Sequence, residues 1–157
     1  MFLIQVNLQT KGVQMKNTNN GCQDYLARAV FLTGITDFGN ELLYFYPEVK
    51  ISEQIDHDLC LKTIPMACQD GDMLITRIGD LNAVTVTRLI PCFEKNNHKK
   101  ETFASLGILI PLDVNPIPYY KMLANLLSRF EQEGKLNKEA LVNCVPKLYK
   151  TINQKLM

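Results

Sequence analysis

Side chains of the kind that make and break bonds are scarce in this sequence. Histidine occurs only at His57 and His98, and serine only at Ser52, Ser105 and Ser128, none of them inside GxSxG. A hydrolytic triad would have to be built from very little, so no residue is assigned a catalytic role. The chain also lacks GxxxxGK[ST], and the glycines at 34, 39, 71, 79, 107 and 134 do not form GxGxxG, which leaves no loop to cradle a nucleotide phosphate. Metal-ligand spacing is missing too. Asp56, His57 and Asp58 are consecutive, whereas helical side chains converge only three or four residues apart, and Cys60 and Cys68 belong to no CxxC. Neither a metal nor a cofactor is expected.

Long apolar runs are likewise absent. The longest candidates, around Ala29–Ile35 and Ala104–Leu112, are strand-sized, well short of the roughly 18 residues a membrane span needs. Met1–Val6 has no basic flank and no small-residue cleavage site after it, so a signal peptide is not expected. Five cysteines (Cys22, Cys60, Cys68, Cys92, Cys144) are an odd number without a close pair, which points to free thiols in a reducing, cytoplasmic compartment. Excess charge is missing as well: 17 Lys+Arg against 16 Asp+Glu give +1, too little for non-specific nucleic-acid binding. Lys95–Lys100 is basic, but Glu94 and Glu101 flank it and no aromatic is interleaved, so it reads as a solvated loop.

What is present is an ordinary globular composition, 46% apolar and 21% charged over 157 residues, enough for one domain with one core. Residues 1–25 read as an N-terminal extension: a short apolar stretch, Phe2–Leu8, fit for an extra edge strand or a tail, then the polar loop 10–24. The domain proper spans 26–157. Ala29–Leu32 is apolar at every position, as in a central strand covered on both sides. Asp37–Asn40 supplies a turn and Leu42–Tyr46 a partner strand, which Pro47 stops. Ser52 caps a helix of two to three turns on which Ile51, Ile55 and Leu59 recur at fourfold spacing, with Pro65 ending or bending it. Met73–Ile78 and Ala83–Ile90 are strands separated by Gly79-Asp80; in the second, Val84, Val86 and Ile90 mark a greasier face and Thr85 and Thr87 a more polar one. Thr102–Leu112 is the last strand.

Asn115-Pro116 then starts a helix whose stripe is Tyr119, Leu123, Leu126, Leu127 and Phe130, with Gly134 placed for a left-handed C-cap. Asn137 restarts the pattern with Leu141, Val145, Leu148, Tyr149 and Ile152, and Pro146 inside it predicts a kink or a break. The sum is an α/β fold: a five-stranded antiparallel sheet in the order β-β-α-β-β-β-α-α. Charge is uneven along it. Asp37 to Asp72 holds eight acidic residues and two lysines, while Lys121 to Met157 holds seven basic residues and three glutamates. Such a dipolar chain suits oriented association with a protein partner.

This order resembles the longin fold, a profilin-like α/β sandwich. AVFLTGITDFGNELLYFYPE is similar to the first hairpin of the longin modules in DENN-type traffic regulators, and TFASLGILIPLDVNPIPYYKMLANLL to their last strand and following helix. The roadblock domain is the related alternative. The resemblance implies a scaffold rather than an enzyme, one that dimerises or docks a small Ras-like GTPase or a second longin or roadblock protein in membrane traffic or GTPase regulation. A homodimer is among the implied arrangements, and membrane association would come only through partners. Carried over, the docking surface is Ile51, Ile55 and Leu59 of the first helix with Leu74 and Ile75 of the strand Met73–Ile78, and Arg77 and Arg88 serve as anchors because arginine is enriched at hot spots. The alternative is a PAS- or GAF-like sensor, which requires a closed apolar pocket between helices and sheet.

Overall fold

A computed structural model describes residues 27–93 and 100–154 of the chain. The expectations for the N-terminal extension and for the basic loop at 94–99 lie outside the described residues. Eight elements follow in the expected order: β1 (Ala29–Thr36), β2 (Gly39–Tyr46), α1 (Glu53–Lys62), β3 (Met73–Ile78), β4 (Leu81–Pro91), β5 (Glu101–Pro111), α2 (Ile117–Gln132) and α3 (Lys138–Gln154). All five strands form one antiparallel sheet in the spatial order β2-β1-β5-β4-β3. The strands reach further toward their turns than their apolar runs do. Thr36 pairs with Gly39 and Ile78 with Leu81, so each hairpin closes over only two residues, and Gly79, with φ of 61°, supplies the positive dihedral that such a tight turn needs.

Period-two alternation sorts the sheet into two faces. Val30 and Leu32, Val84 and Val86, and Leu106, Ile108 and Ile110 point to one side, where they pack with Leu123, Leu127, Leu141, Val145 and Ile152 of the long helices. There α2 lies over β4 and β5, and α3 over β1 and β2. Ala29, Phe31, Ala83 and Leu109 point to the other side and meet Ile55 and Leu59 of α1. Each fully buried leucine or phenylalanine contributes about 1.5–3 kcal/mol relative to exposure, which is why the central strands β1 and β5 carry apolar side chains on both faces.

The helix ends obey local chemistry. Ser52 Oγ accepts the Ile55 N–H at 3.1 Å, and Asn115 Oδ1 accepts the Ile117 N–H at 3.1 Å, with Pro116 placed just before the first helical residue. At the far end of α2 the Lys135 N–H reaches the Phe130 carbonyl and the Gly134 N–H the Glu131 carbonyl, the crossed pair of a Schellman cap, made by Gly134 at φ 69°. Asn137 caps α3 through the Ala140 N–H at 2.9 Å. Of the kink or break expected at Pro146, the break does not occur: α3 runs through it to Gln154. Proline costs a helix interior about 3 kcal/mol, and the buried row Leu141, Val145, Leu148, Ile152 on the same helix outweighs it.

One contact fixes how closely the central strands and their side chains can lie. Gly107 is paired across the sheet with Phe31 and Thr85, and the Phe31 ring covers it; a Cβ there would stand 2.3 Å from the ring and 2.7 Å from the Thr85 methyl. Overpacking of this kind costs roughly 1–3 kcal/mol. Gly107→Ala is therefore expected to lower the unfolding free energy in urea by about that amount, and Phe31→Leu in the same chain to cost less than the sum of the single changes. Additive losses would show that ring and glycine do not constrain each other.

Candidate interaction surface

α1 is held down by the stripe that its sequence displays. Ile55 and Leu59 are 4% and 0% exposed and Ile51 is half-buried beside them, so these three attach α1 to the sheet; the apolar side chain that α1 offers to solvent is Leu61, off the stripe and 60% exposed. β3 differs. Among the described residues it is an edge strand, paired only with β4, and its side chains alternate between exposed Met73, Ile75 and Arg77 and half-buried Leu74 and Thr76. Arg77 folds back over its own turn, donating to the Gly79 carbonyl at 3.0 Å and lying 3.8 Å from Asp80, a surface pair of small energetic weight.

Arg88 stands apart from this group. Its side chain is 11% exposed and pairs with Asp70 at 2.8 Å and Glu131 at 2.7 Å, so it joins β4 to the loop before β3 and to the last turns of α2. Burial opposes its charge, but the hydrogen bonds it donates to Glu131 and Asp70 outweigh that and raise its pKa. Of the seven residues singled out in the sequence, Ile75 and Arg77 share one exposed face of β3, Leu74 is half-buried on the opposite face, Ile51 is half-buried beside α1, and Ile55, Leu59 and Arg88 are structural ties.

A second apolar surface escaped the sequence reading. Phe38 at the tip of the β1–β2 hairpin, Leu61 near the end of α1 and Met66 just beyond it are 90%, 60% and 96% exposed. They belong to segments that are fastened together, because Asn40 Nδ2 donates to the carbonyls of Cys60 and Ile64 at 3.0 and 3.3 Å. The available signal was Leu61 itself, an apolar residue two positions out of phase with Ile55 and Leu59.

Between α1 and β3 the sheet is closed by a chain of buried hydroxyls. Thr63 Oγ1 donates to the Leu59 carbonyl at 2.6 Å, so in its 2.7 Å contact with Thr33 it must accept. Ser105 Oγ donates to the Thr63 carbonyl at 2.8 Å, so Thr87 is the donor in their 2.6 Å contact. Thr33, Thr63, Thr87 and Ser105 are all at most 1% exposed. Each hydroxyl proton is committed to an oxygen and no titratable group joins the chain, so the cluster fixes the segment after α1 rather than activating a nucleophile.

The thiols are also placed for packing. Burial pushes Cys144 up to about 12, and burial with the Asp56 carboxylate that accepts its proton at 3.3 Å does the same for Cys60, so both are protonated near neutrality. Among the described residues no three His, Cys, Asp or Glu side chains converge as a metal site, and no helix is long and apolar enough to cross a membrane. Comparison of the chain with protein-family models and with curated proteins finds no match.

Two measurements follow from these geometries. Ser105→Ala strands the Thr63 carbonyl and the Thr87 hydroxyl in the core, and is expected to cost about 2 kcal/mol or more in urea unfolding, at about 1–3 kcal/mol per orphaned group; a loss under about 0.5 kcal/mol would mean that the chain of hydroxyls is not a tie. For Cys144 the native pKa lies above the unfolded one, about 8.5, so its stabilising effect is complete below that pH and is lost as pH rises toward about 12. Relative to Cys144→Ala, the wild-type chain should lose about 1–2 kcal/mol between pH 8 and pH 10. Parallel pH curves would refute the burial effect.

Proposed function

We propose that the chain is a non-catalytic, cytoplasmic interaction module of longin type that binds a small Ras-like GTPase or a second longin or roadblock protein, and so helps to regulate membrane traffic or GTPase state. The observation that carries this reading is β3, an edge strand whose outer side has no strand partner among the described residues, with apolar and cationic side chains in water, on a fold whose element order is the one the resemblance implies. An exposed edge offers backbone hydrogen bonds to an added strand, and the alternating side chains on its two faces supply specificity. The committed hydroxyls and protonated thiols support recognition over bond-making. The sensor alternative needs a ligand-sized void between helices and sheet; beneath α2 and α3, Leu106, Ile108, Leu123 and Leu127 are at most 1% exposed and pack in one cluster, and beneath α1, Phe31 and Leu59 are 0% exposed and pack in another.

The test is calorimetric titration of the full chain against GTPases loaded with GDP or a GTP analogue, combined with light scattering to detect self-association. Binding in at least one arm is expected, and Ile75→Glu with Arg77→Glu should weaken it about tenfold or more, ~1.4 kcal/mol, while leaving the melting temperature within a degree or two because both side chains are exposed. A strictly monomeric chain that binds no GTPase in either nucleotide state would sink the proposal.

A further inference from the structure

On the side of the sheet opposite α1, helices α2 and α3 enclose an open groove of about 890 Å³. Its floor is apolar: Met122, Leu126 and Phe130 line it at four-residue intervals along α2, facing Cys144 and Leu148 of α3. The three α2 side chains are only half-buried, so apolar surface is left in contact with water. The rim is cationic. Lys121 and Arg129 on α2 and Lys147 on α3 are exposed, with Glu133 the one acid, at the end where the chain turns from α2 to α3. None of the three cations has a carboxylate within ion-pair distance among the described residues.

We infer that this groove docks an acidic amphipathic helix of a partner protein, whose apolar stripe fills the floor and whose carboxylates meet Lys121, Arg129 and Lys147. An apolar cleft between two helices is the form that receives a third helix, and the unpaired cations set the sign of the helix it selects. The α3 side of the groove runs from Ala140 to Thr151, about 16 Å, which matches an occupant of about three turns.

Neither α1 nor residues 1–26 fit as that helix. α1 is acidic, but its apolar stripe, Ile55 and Leu59, is buried against its own sheet, so a second copy has no free stripe to insert. Residues 1–26 carry Lys11 and Lys16 against Asp24, the wrong sign for this rim. With α1 and residues 1–26 set aside, the helix is assigned to a partner protein by the charge it must carry. The inference does not rest on β3, which lies at the edge of the sheet and contributes no side chain to the lining of the groove.

Fluorescence anisotropy with the full chain tests it, using a labelled designed helix of about 14 residues with leucines at i, i+4, i+7 and i+11 and glutamates flanking them. The acidic helix is expected to bind, and its counterpart with lysine for glutamate to bind at least about tenfold more weakly. Lys121→Glu with Lys147→Glu, on exposed side chains that leave the circular dichroism spectrum unchanged, should weaken the acidic helix about tenfold or more and favour the lysine helix. Amide shift changes in NMR should fall on α2 and α3, and Ile75→Glu with Arg77→Glu should leave this binding unaltered. Equal affinity for both helices, insensitivity to the charge reversal, or shifts centred elsewhere would overturn the inference. So would binding to phosphatidylserine vesicles alone, or self-association abolished by the same reversal.

Discussion

The sheet has two apolar faces and unequal cover for them, and much of the molecule's form follows from that imbalance. α2 and α3, 16 and 17 residues long, span one face; the other receives α1, only 10 residues. A backbone segment is a poor lid, because its own polar groups need partners once buried. The answer built into this chain is hydroxyl-bearing side chains on the uncovered strands. Thr33 of β1 and Ser105 of β5 engage Thr63, and Thr87 of β4 donates to Ser105, which lets an irregular segment lie on the sheet with its carbonyl satisfied. Gly107 works in the same region by a different route, since its missing side chain makes room for the Phe31 ring.

That imbalance also explains which parts of the fold were legible in the sequence. Period is a property of one segment, so strands, helical stripes and caps could be read directly: Met73–Ile78 is β3 to the residue, and Ser52, Asn115, Gly134 and Asn137 all sit at helix ends. Partnership between distant segments leaves no such trace. Thr85 and Thr87 read as the more polar side of β4, and both are buried, because the Leu74 carbonyl and Ser105 satisfy their hydroxyls. Arg88 looks like any strand arginine until Asp70 and Glu131 arrive from 18 and 43 residues away. The candidate site suffered from the same ambiguity in reverse. A stripe at fourfold spacing marks contact with something, and in α1 that something is the chain's own sheet, whereas Leu61 and Met66, which break the pattern, are the side chains in water.

Charge segregation along the chain becomes segregation across the sheet. The acidic stretch builds the β1–β2 hairpin and α1, with Glu53, Asp56 and Asp37 exposed; the basic stretch builds α2 and α3 on the other side, with Lys121, Arg129 and Lys147 exposed. The layer of apolar strands between them holds the two fields apart. A net charge of +1 therefore conceals two faces of opposite character, each able to orient a partner of opposite sign at close range even though the molecule as a whole attracts neither.

Arg88 is the physical connection between the two surfaces on which recognition is placed. Asp70 lies three residues before β3, and Glu131 lies between Arg129 and Glu133, which border the groove of α2 and α3. Both carboxylates are substantially exposed, at 42% and 62%, so screening by water leaves the pairs worth only about 1 kcal/mol in stability. Their weight is geometric instead. Two short, charge-assisted bonds from one planar guanidinium fix the distance between the segment that leads into the edge strand and the last turns of α2. The arginine is thus better understood as part of the frame that positions both surfaces than as an anchor presented to a partner.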